Sequence, residues 1–197
     1  MNEPEFFRRY IFFSTREYAL HLDVSIASAS RSLNRYSRKN EMTQVTRGIW
    51  ANQNHPYFSP YGAIPYLIGS EHGYLSFLSA LHRHEMISQI PSTMQIATTG
   101  RNRMLKSPIG EFNFFQLSPK LMHEGIDLFQ KNIQYNIASP EKALLDTFYI
   151  STKKGHRFKK LPEIEFINFR EKTFRQLLTL YPKISQKLIW ERYLELK

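Results

Sequence analysis

Hydrophobic positions in the first fifty residues recur at helical spacing and are cut by turn and cap residues at short intervals. Phe6, Phe7 and Tyr10 share one face of a short helix predicted over residues 2–10. Ser14 followed three residues later by Glu17 has capping-box spacing, so a second helix opens there, with Ala19 and Leu22 on one buried face. Asp23 can adopt the left-handed conformation that a tight turn requires. Ser25 can cap a third helix from Ile26 to about Lys39, and Asn40 can stop it. Within that helix Ile26, Ala29, Leu33 and Tyr36 fall in a narrow arc, the expected core stripe. Ala27, Ser28, Arg31, Asn34, Arg35 and Arg38 lie opposite. Residues 41–50 read as a small β-hairpin turning near Arg47-Gly48. Together these elements predict a winged helix-turn-helix over residues 1–55.

The pattern then changes. Residues 53–59 read as a linker, and a short helical stretch from Tyr61 is interrupted or kinked at Pro65. Residues 74–81 read as a helix buried on several sides, because its polar members are small. Ile96–Thr99, Phe112–Leu117 and Gln134–Ala138 read as strands. Ser139-Pro140-Glu141 has cap, first-turn proline and acid in the order that opens a helix, whose stripe is Ala143, Leu144, Thr147 and Phe148. Residues 163–196 read as mainly helical, broken at Tyr181-Pro182. The expectation is an α+β protein: a winged helix-turn-helix followed, over residues 56–197, by a mixed α/β domain with a small sheet and C-terminal helices.

Charge sharpens the reading. The 197 residues carry a formal charge of +10, unevenly spread. Residues 1–55 have eight Lys/Arg against five Asp/Glu, residues 56–150 have seven of each, and residues 151–197 have twelve against five. From Val24 to Asn40 there is no acid. Arg31, Arg35 and Arg38 therefore stack along one helix face with like charges three and four apart, which destabilises an isolated helix by a few tenths of a kcal/mol per pair. A phosphate backbone relieves that repulsion, and arginine suits bidentate reading of guanine. The candidate DNA contacts are Ser25, Ala27, Ser28, Arg31, Asn34, Arg35, Arg38 and Arg47. Arg31 and Arg35, with Ser28 and Asn34, are expected in the major groove; Arg38 and Arg47 at phosphates or the minor groove. Lys153, Lys154, Arg157, Lys159 and Lys160 form a second basic cluster suited to backbone contacts.

Other chemistry finds little support. The chain has no cysteine, which removes disulfides, thiolate zinc sites and cysteine nucleophiles. His84-Glu85 lacks a histidine at position 88, and His123-Glu124 is followed by Gly125 and by Asp127 where the second histidine would stand. No phosphate-binding loop or nucleophile-elbow pattern occurs. Glu141 and Asp146, five apart on a helix, diverge by about 140° and do not readily share a metal or a water. No catalytic residue, metal or cofactor is expected. The N-terminus has no signal-peptide pattern and no apolar run approaches the ~20 residues of a membrane span, so a cytoplasmic location without membrane contact is expected.

Two stretches resemble a known family. Gly73-Tyr74-Leu75-Ser76-Phe77-Leu78-Ser79-Ala80-Leu81, continuing to Gln89-Ile90-Pro91, is similar to a signature of AbiEi-type antitoxins. Ile137-Ala138-Ser139-Pro140-Glu141-Lys142-Ala143-Leu144-Leu145-Asp146 resembles the second signature of that family, and the order of the segments agrees. The chain departs from the pattern at His82-Arg83-His84-Glu85, where relatives often carry a glycine. The resemblance implies a repressor that binds inverted repeats in its own promoter through the winged helix. It also implies a C-terminal domain that counteracts a nucleotidyltransferase toxin in a type IV, abortive-infection module, without a stable complex. The second basic cluster would then serve DNA or antitoxicity. A monomer in solution that pairs on DNA fits this picture. A one-component regulator without a toxin, and a nucleic-acid-modifying enzyme targeted by a winged helix, are the alternatives.

Overall fold

The computed structural model describes residues 3–153, 158 and 160–197. Among these, eight α-helices and two sheets make a mixed α+β protein. The chain divides into two compact units. The first runs to Gly69 and includes Lys106–Glu111 and Gln130–Tyr135; the second holds Ser70–Leu105, Phe112–Phe129 and the residues from Asn136 onward.

In the first unit, helix α1 (Glu3–Arg9) leads into strand β1 (Phe12–Ser14), helix α2 (Thr15–Leu22), helix α3 (Ile26–Arg38) and strands β2 (Thr43–Thr46) and β3 (Ile49–Ala51). The capping box is present: the Ser14 hydroxyl accepts from the Glu17 amide at 3.1 Å, and the Glu17 carboxylate accepts from the Ser14 amide at 2.6 Å. Asp23 closes α2 at φ 54°, the Ser25 hydroxyl accepts from the Ser28 amide at 3.1 Å, and Asn40 takes φ 58° beyond α3. Strands β2 and β3 are antiparallel around Gly48 at φ 79°. Strand β1 pairs with the other side of β3, aligning Phe13 with Trp50. That strand escapes sequence reading because it is three residues long and its last residue doubles as the helix cap.

The core of this unit contains Phe6, Phe13, Tyr18, Ala29, Leu33 and Trp50, with Tyr36 and Leu22 packed against it. Ile26 departs from the expected stripe and is 59% exposed. It is the first residue of α3, and a helical side chain leans toward its own N-terminus, so Ile26 projects past the end of the helix into solvent. Beyond β3, Pro60–Ala63 form a 3-10 helix and Ile64–Ile68 form α4. Pro65 lies in the first turn of α4, where its missing N–H costs nothing, and the helical stretch changes from 3-10 to α geometry just before it. Gly62 lies so close to the Phe12 ring that a Cβ would come within 2.7 Å of it.

The second unit is built on β4 (Gly73–Leu75), α5 (Phe77–Arg83), β5 (Met94–Thr98), β6 (Arg103–Ser107), β7 (Gly110–Gln116), a 3-10 helix (Pro119–Leu121), β8 (Ile126–Gln130), β9 (Gln134–Ala138), α6 (Pro140–Ser151), α7 (Glu171–Leu178) and α8 (Lys183–Leu194). The sheet has six strands in the order β6-β7-β5-β4-β9-β8, larger than expected. Strand β4 runs antiparallel to β5 and parallel to β9, and β5 runs parallel to β7. The helix expected over residues 74–81 is thus split: Tyr74 and Leu75 belong to a central strand. A wholly buried apolar run carries no period that separates strand from helix. Strands β6 and β8 lie at the sheet edges with few buried side chains, which removes the pattern that would reveal them. Residues 163–170, expected to be helical, are irregular.

Helix α6 opens as expected, with the Ser139 hydroxyl accepting from the Lys142 amide at 3.2 Å. It is buried on all sides from Glu141 to Ile150, against α5, α7 and α8. Phe77, at the junction of β4 and α5, is fully buried and holds φ 55°. Its ring lies 4.8 Å from that of Phe115 and stacks at 5.5 Å on Phe158.

Candidate nucleic-acid interface

Helix α3 presents the arginines outward. Arg31, Asn34, Arg35 and Arg38 are exposed, as are Ser25, Ala27 and the hairpin-turn residue Arg47; Ser28 is half-buried. Among the described residues none of the four arginines forms an ion pair. Their local partners are neutral. The Arg31 guanidinium donates to the Ser28 hydroxyl at 3.2 Å, and Ser28 in turn accepts from the Ser25 hydroxyl at 3.0 Å. Arg35 donates to Ser32 at 3.4 Å and lies 5.7 Å from the Tyr36 ring centroid. The side chain of Asn34 donates to the Ser30 carbonyl at 2.8 Å, leaving its own carbonyl oxygen as the acceptor it can offer outward.

The flank of α3 beside Arg35 is held by one carboxylate. Glu3 of α1 accepts from Tyr36 at 2.7 Å, from Ser32 at 3.0 Å and from Tyr18 of α2. Burial opposes its ionisation, but the bonds from Tyr18, Tyr36 and Ser32 and the nearby Arg35 charge outweigh it and hold the carboxyl below the usual carboxylate range. Burial and the same bond push the Tyr18 phenol up. Glu3 thus fixes α2 and α3 to α1, and the Ser32 hydroxyl stands between its carboxylate and the Arg35 guanidinium. Sequence reading missed this clamp, which joins residues up to 33 apart.

Lys153 and Lys160 are exposed. Lys154, Arg157 and Lys159 lie outside the described residues.

The second unit holds a polar cluster closed to solvent. Lys142 and Asp146 on α6 pair at 2.7 Å, both side chains fully buried. The Asp146 carboxylate also accepts from Tyr181 at 2.6 Å, Ser76 at 2.8 Å and Tyr74 at 2.9 Å, filling its four acceptor sites. Burial, then the Asp146 charge, raises the Tyr74 and Tyr181 phenols far above their ordinary value. Glu141 is also buried; it accepts from the Arg170 amide at 2.7 Å and takes no part in the cluster. Tyr74 and Ser76 come from the first motif and Lys142 and Asp146 from the second, so the two motifs meet through their polar residues. The signal was present as i,i+2 spacing across a strand end and i,i+4 spacing on a helix.

One concavity in this unit has the size of a small-ligand site, about 600 Å³. It lies beyond the carboxyl ends of the parallel strands β5 and β7, lined by Thr99, Asn102, Gln116, Tyr149 and Lys153 among others. The Lys153 ammonium sits 4.3 Å from the Tyr149 ring centroid.

Among the described residues no group of three or more His, Asp or Glu side chains is placed to hold a metal, and no helix is long and apolar enough to cross a membrane. No family model matches the chain, and no curated protein matches it.

Proposed function

We propose that this chain is a sequence-specific DNA-binding repressor that acts as the antitoxin of a type IV toxin–antitoxin pair, without enzymatic activity of its own. In this reading α2, the Asp23 turn and α3 are a helix-turn-helix, and the β2–β3 hairpin is its wing. The observation that carries the DNA half is the outward face of α3: three exposed arginines, none of them in an ion pair among the described residues, with Glu3 held to the flank of the helix by Ser32 and Tyr36. A duplex supplies the missing anions, with Arg31 and Arg35 toward base edges and Arg38 and Arg47 toward phosphates or the minor groove. The antitoxin half rests on the resemblance of the two motifs to AbiEi-type antitoxins.

Selection from a random duplex library with the full chain, followed by gel-shift titration, tests the DNA half. Arg31→Ala is expected to cost ~1–3 kcal/mol and relax one position of the selected site. Arg38→Ala is expected to weaken binding to all sequences alike and lower the salt slope by about one. Equal affinity of Arg31→Ala and wild type would sink the assigned face. The antitoxin half predicts that the chain rescues cells expressing a nucleotidyltransferase encoded beside its gene; failure of rescue reduces the reading to a plain repressor. Turnover of labelled nucleic acid with Mg²⁺, lost on mutating Glu141 or Asp146, would replace the reading by an enzymatic one.

The concavity at β5 and β7 favours a second reading, a one-component regulator that senses a small ligand there. A metabolite that changes operator affinity in the wild type but not in Asn102→Leu would support it.

A further inference from the structure

The first unit exposes four large apolar side chains among its described residues, and three of them lie within seven positions: Leu20 at 83%, Val24 at 43% and Ile26 at 59%. Single exposed apolar residues are ordinary on protein surfaces. Two of these three, Val24 and Ile26, stand on either side of the cap at the leading end of a cationic helix, while Leu20 lies on α2. The turn that carries the pair is held from both sides. The Val24 amide donates to the Ala19 carbonyl at 3.0 Å, and Ser25 caps α3 through Ser28. Val24 and Ile26 therefore flank a fixed cap, and the Ala27 methyl follows on the exposed side.

The same end of the helix carries the guanidinium of Arg31. Its bond to Ser28, itself bonded to Ser25, draws the group back over the first turn. Ile26 and Arg31 are five apart, about 140° around the axis, yet the apolar side chain projecting past the end of α3 and the guanidinium drawn back over its first turn both stand at the leading end of the helix, with no acid from Val24 to Asn40. The major groove offers one apolar group, the 5-methyl of thymine, and guanine offers the paired acceptors that arginine fits. Phosphates on either side match the positive charge of α3.

We infer that the α2–α3 turn reads thymine methyl groups through Ile26, with Val24 and Ala27 beside it, next to the guanine read by Arg31. This rests on the DNA-binding reading above. It adds a composition to the half-site: a thymine within one or two base pairs of the Arg31-dependent guanine. It also gives Ile26 a role in specificity in place of the core role that periodicity assigns to it.

The test uses the full chain and the duplex selected from a random library. Each thymine is replaced by deoxyuridine, which removes only the methyl. At one or two positions near the Arg31-dependent guanine, binding is expected to weaken about threefold to fivefold, the effect of one buried methyl. Ile26→Ser is expected to lose a similar factor on the thymine duplex and to lose nothing more on the uracil duplex. It is exposed, so the circular-dichroism spectrum and melting temperature should be those of wild type. Ile184→Ser, exposed on α8, serves as the control and should bind as wild type does. Uracil replacement without effect at every thymine, while Arg31→Ala still weakens binding, would overturn the inference and leave the repressor reading standing. Failure to select any sequence would remove the repressor reading itself. A change of oligomeric state in Ile26→Ser would overturn the inference by making the exposed apolar pair a protein interface.

Discussion

Glu3 shows how much one side chain can decide. It is a surface acid by type, yet it joins three hydroxyls from two helices. Because its carboxyl ionises more readily folded than unfolded, its contribution is fully present above the unfolded value and fades as pH falls through the folded one. Glu3→Gln is therefore expected to destabilise the first unit above about pH 5 and to converge with wild type on acidification. The carboxylate is only partly buried, so solvent screening keeps the difference modest. The chain has two tryptophans, and Trp50 is buried in this unit, so its fluorescence in a Trp190→Phe background reports the transition. Equal melting of Glu3→Gln and wild type at neutral pH would refute the clamp. Local residues were the most legible part of the chain: Ser14, Glu17, Asp23, Ser25 and Asn40 all act within three or four positions of themselves. Ile26 was misread because periodicity describes an endless helix and says nothing of its first residue.

At the level of elements, two pairs with identical spacing make opposite predictions. Lys142 and Asp146 are i,i+4 and enclosed, whereas Lys187 and Glu191 are i,i+4 and exposed, 3.8 Å apart. Lys142→Met strands the Asp146 charge and is expected to cost about 3–5 kcal/mol. Lys187→Met is expected to stay within about 0.5 kcal/mol. Urea unfolding followed by Trp190 measures both, and comparable losses would contradict the enclosure of the first pair. Helices with caps were legible, and so were the strands Met94–Thr98, Gly110–Gln116 and Gln134–Ala138, within two residues at their ends. Strands at the sheet edges were not, because an edge strand buries too little to leave a pattern. The polar cluster was half legible. Its members have the right spacing within each motif, but long-range events, the parallel pairing of β4 with β9 and the packing of α5 on α6, bring the motifs together.

For the molecule as a whole, charge is the property that sequence conveys best. A neutral stretch separates two basic ones, and the counts hold whatever the fold. If both ends contact a duplex, removing charge from the second should act like removing a phosphate contact. Lys153→Ala/Lys160→Ala is then expected to lower the salt slope by up to about two without altering the selected sequence. An unchanged slope would assign the second cluster to something other than DNA. The division into units was less legible, since residues 56–69 and two hairpin tips group with the N-terminal segment by contact rather than by order. No composition shift marks them.

Phe77 carries a consequence for substitution. A bulky residue in the left-handed region sacrifices about 1–2 kcal/mol of backbone energy, which its enclosed ring must offset. Trimming that ring to a methyl discards the packing and keeps the distortion; trimming it to hydrogen discards both. The usual ranking of the two smallest amino acids in a helix should therefore invert at this junction. The glycine variant is expected to outlast the alanine variant by about 1 kcal/mol, where ordinary helix positions favour alanine by a similar amount.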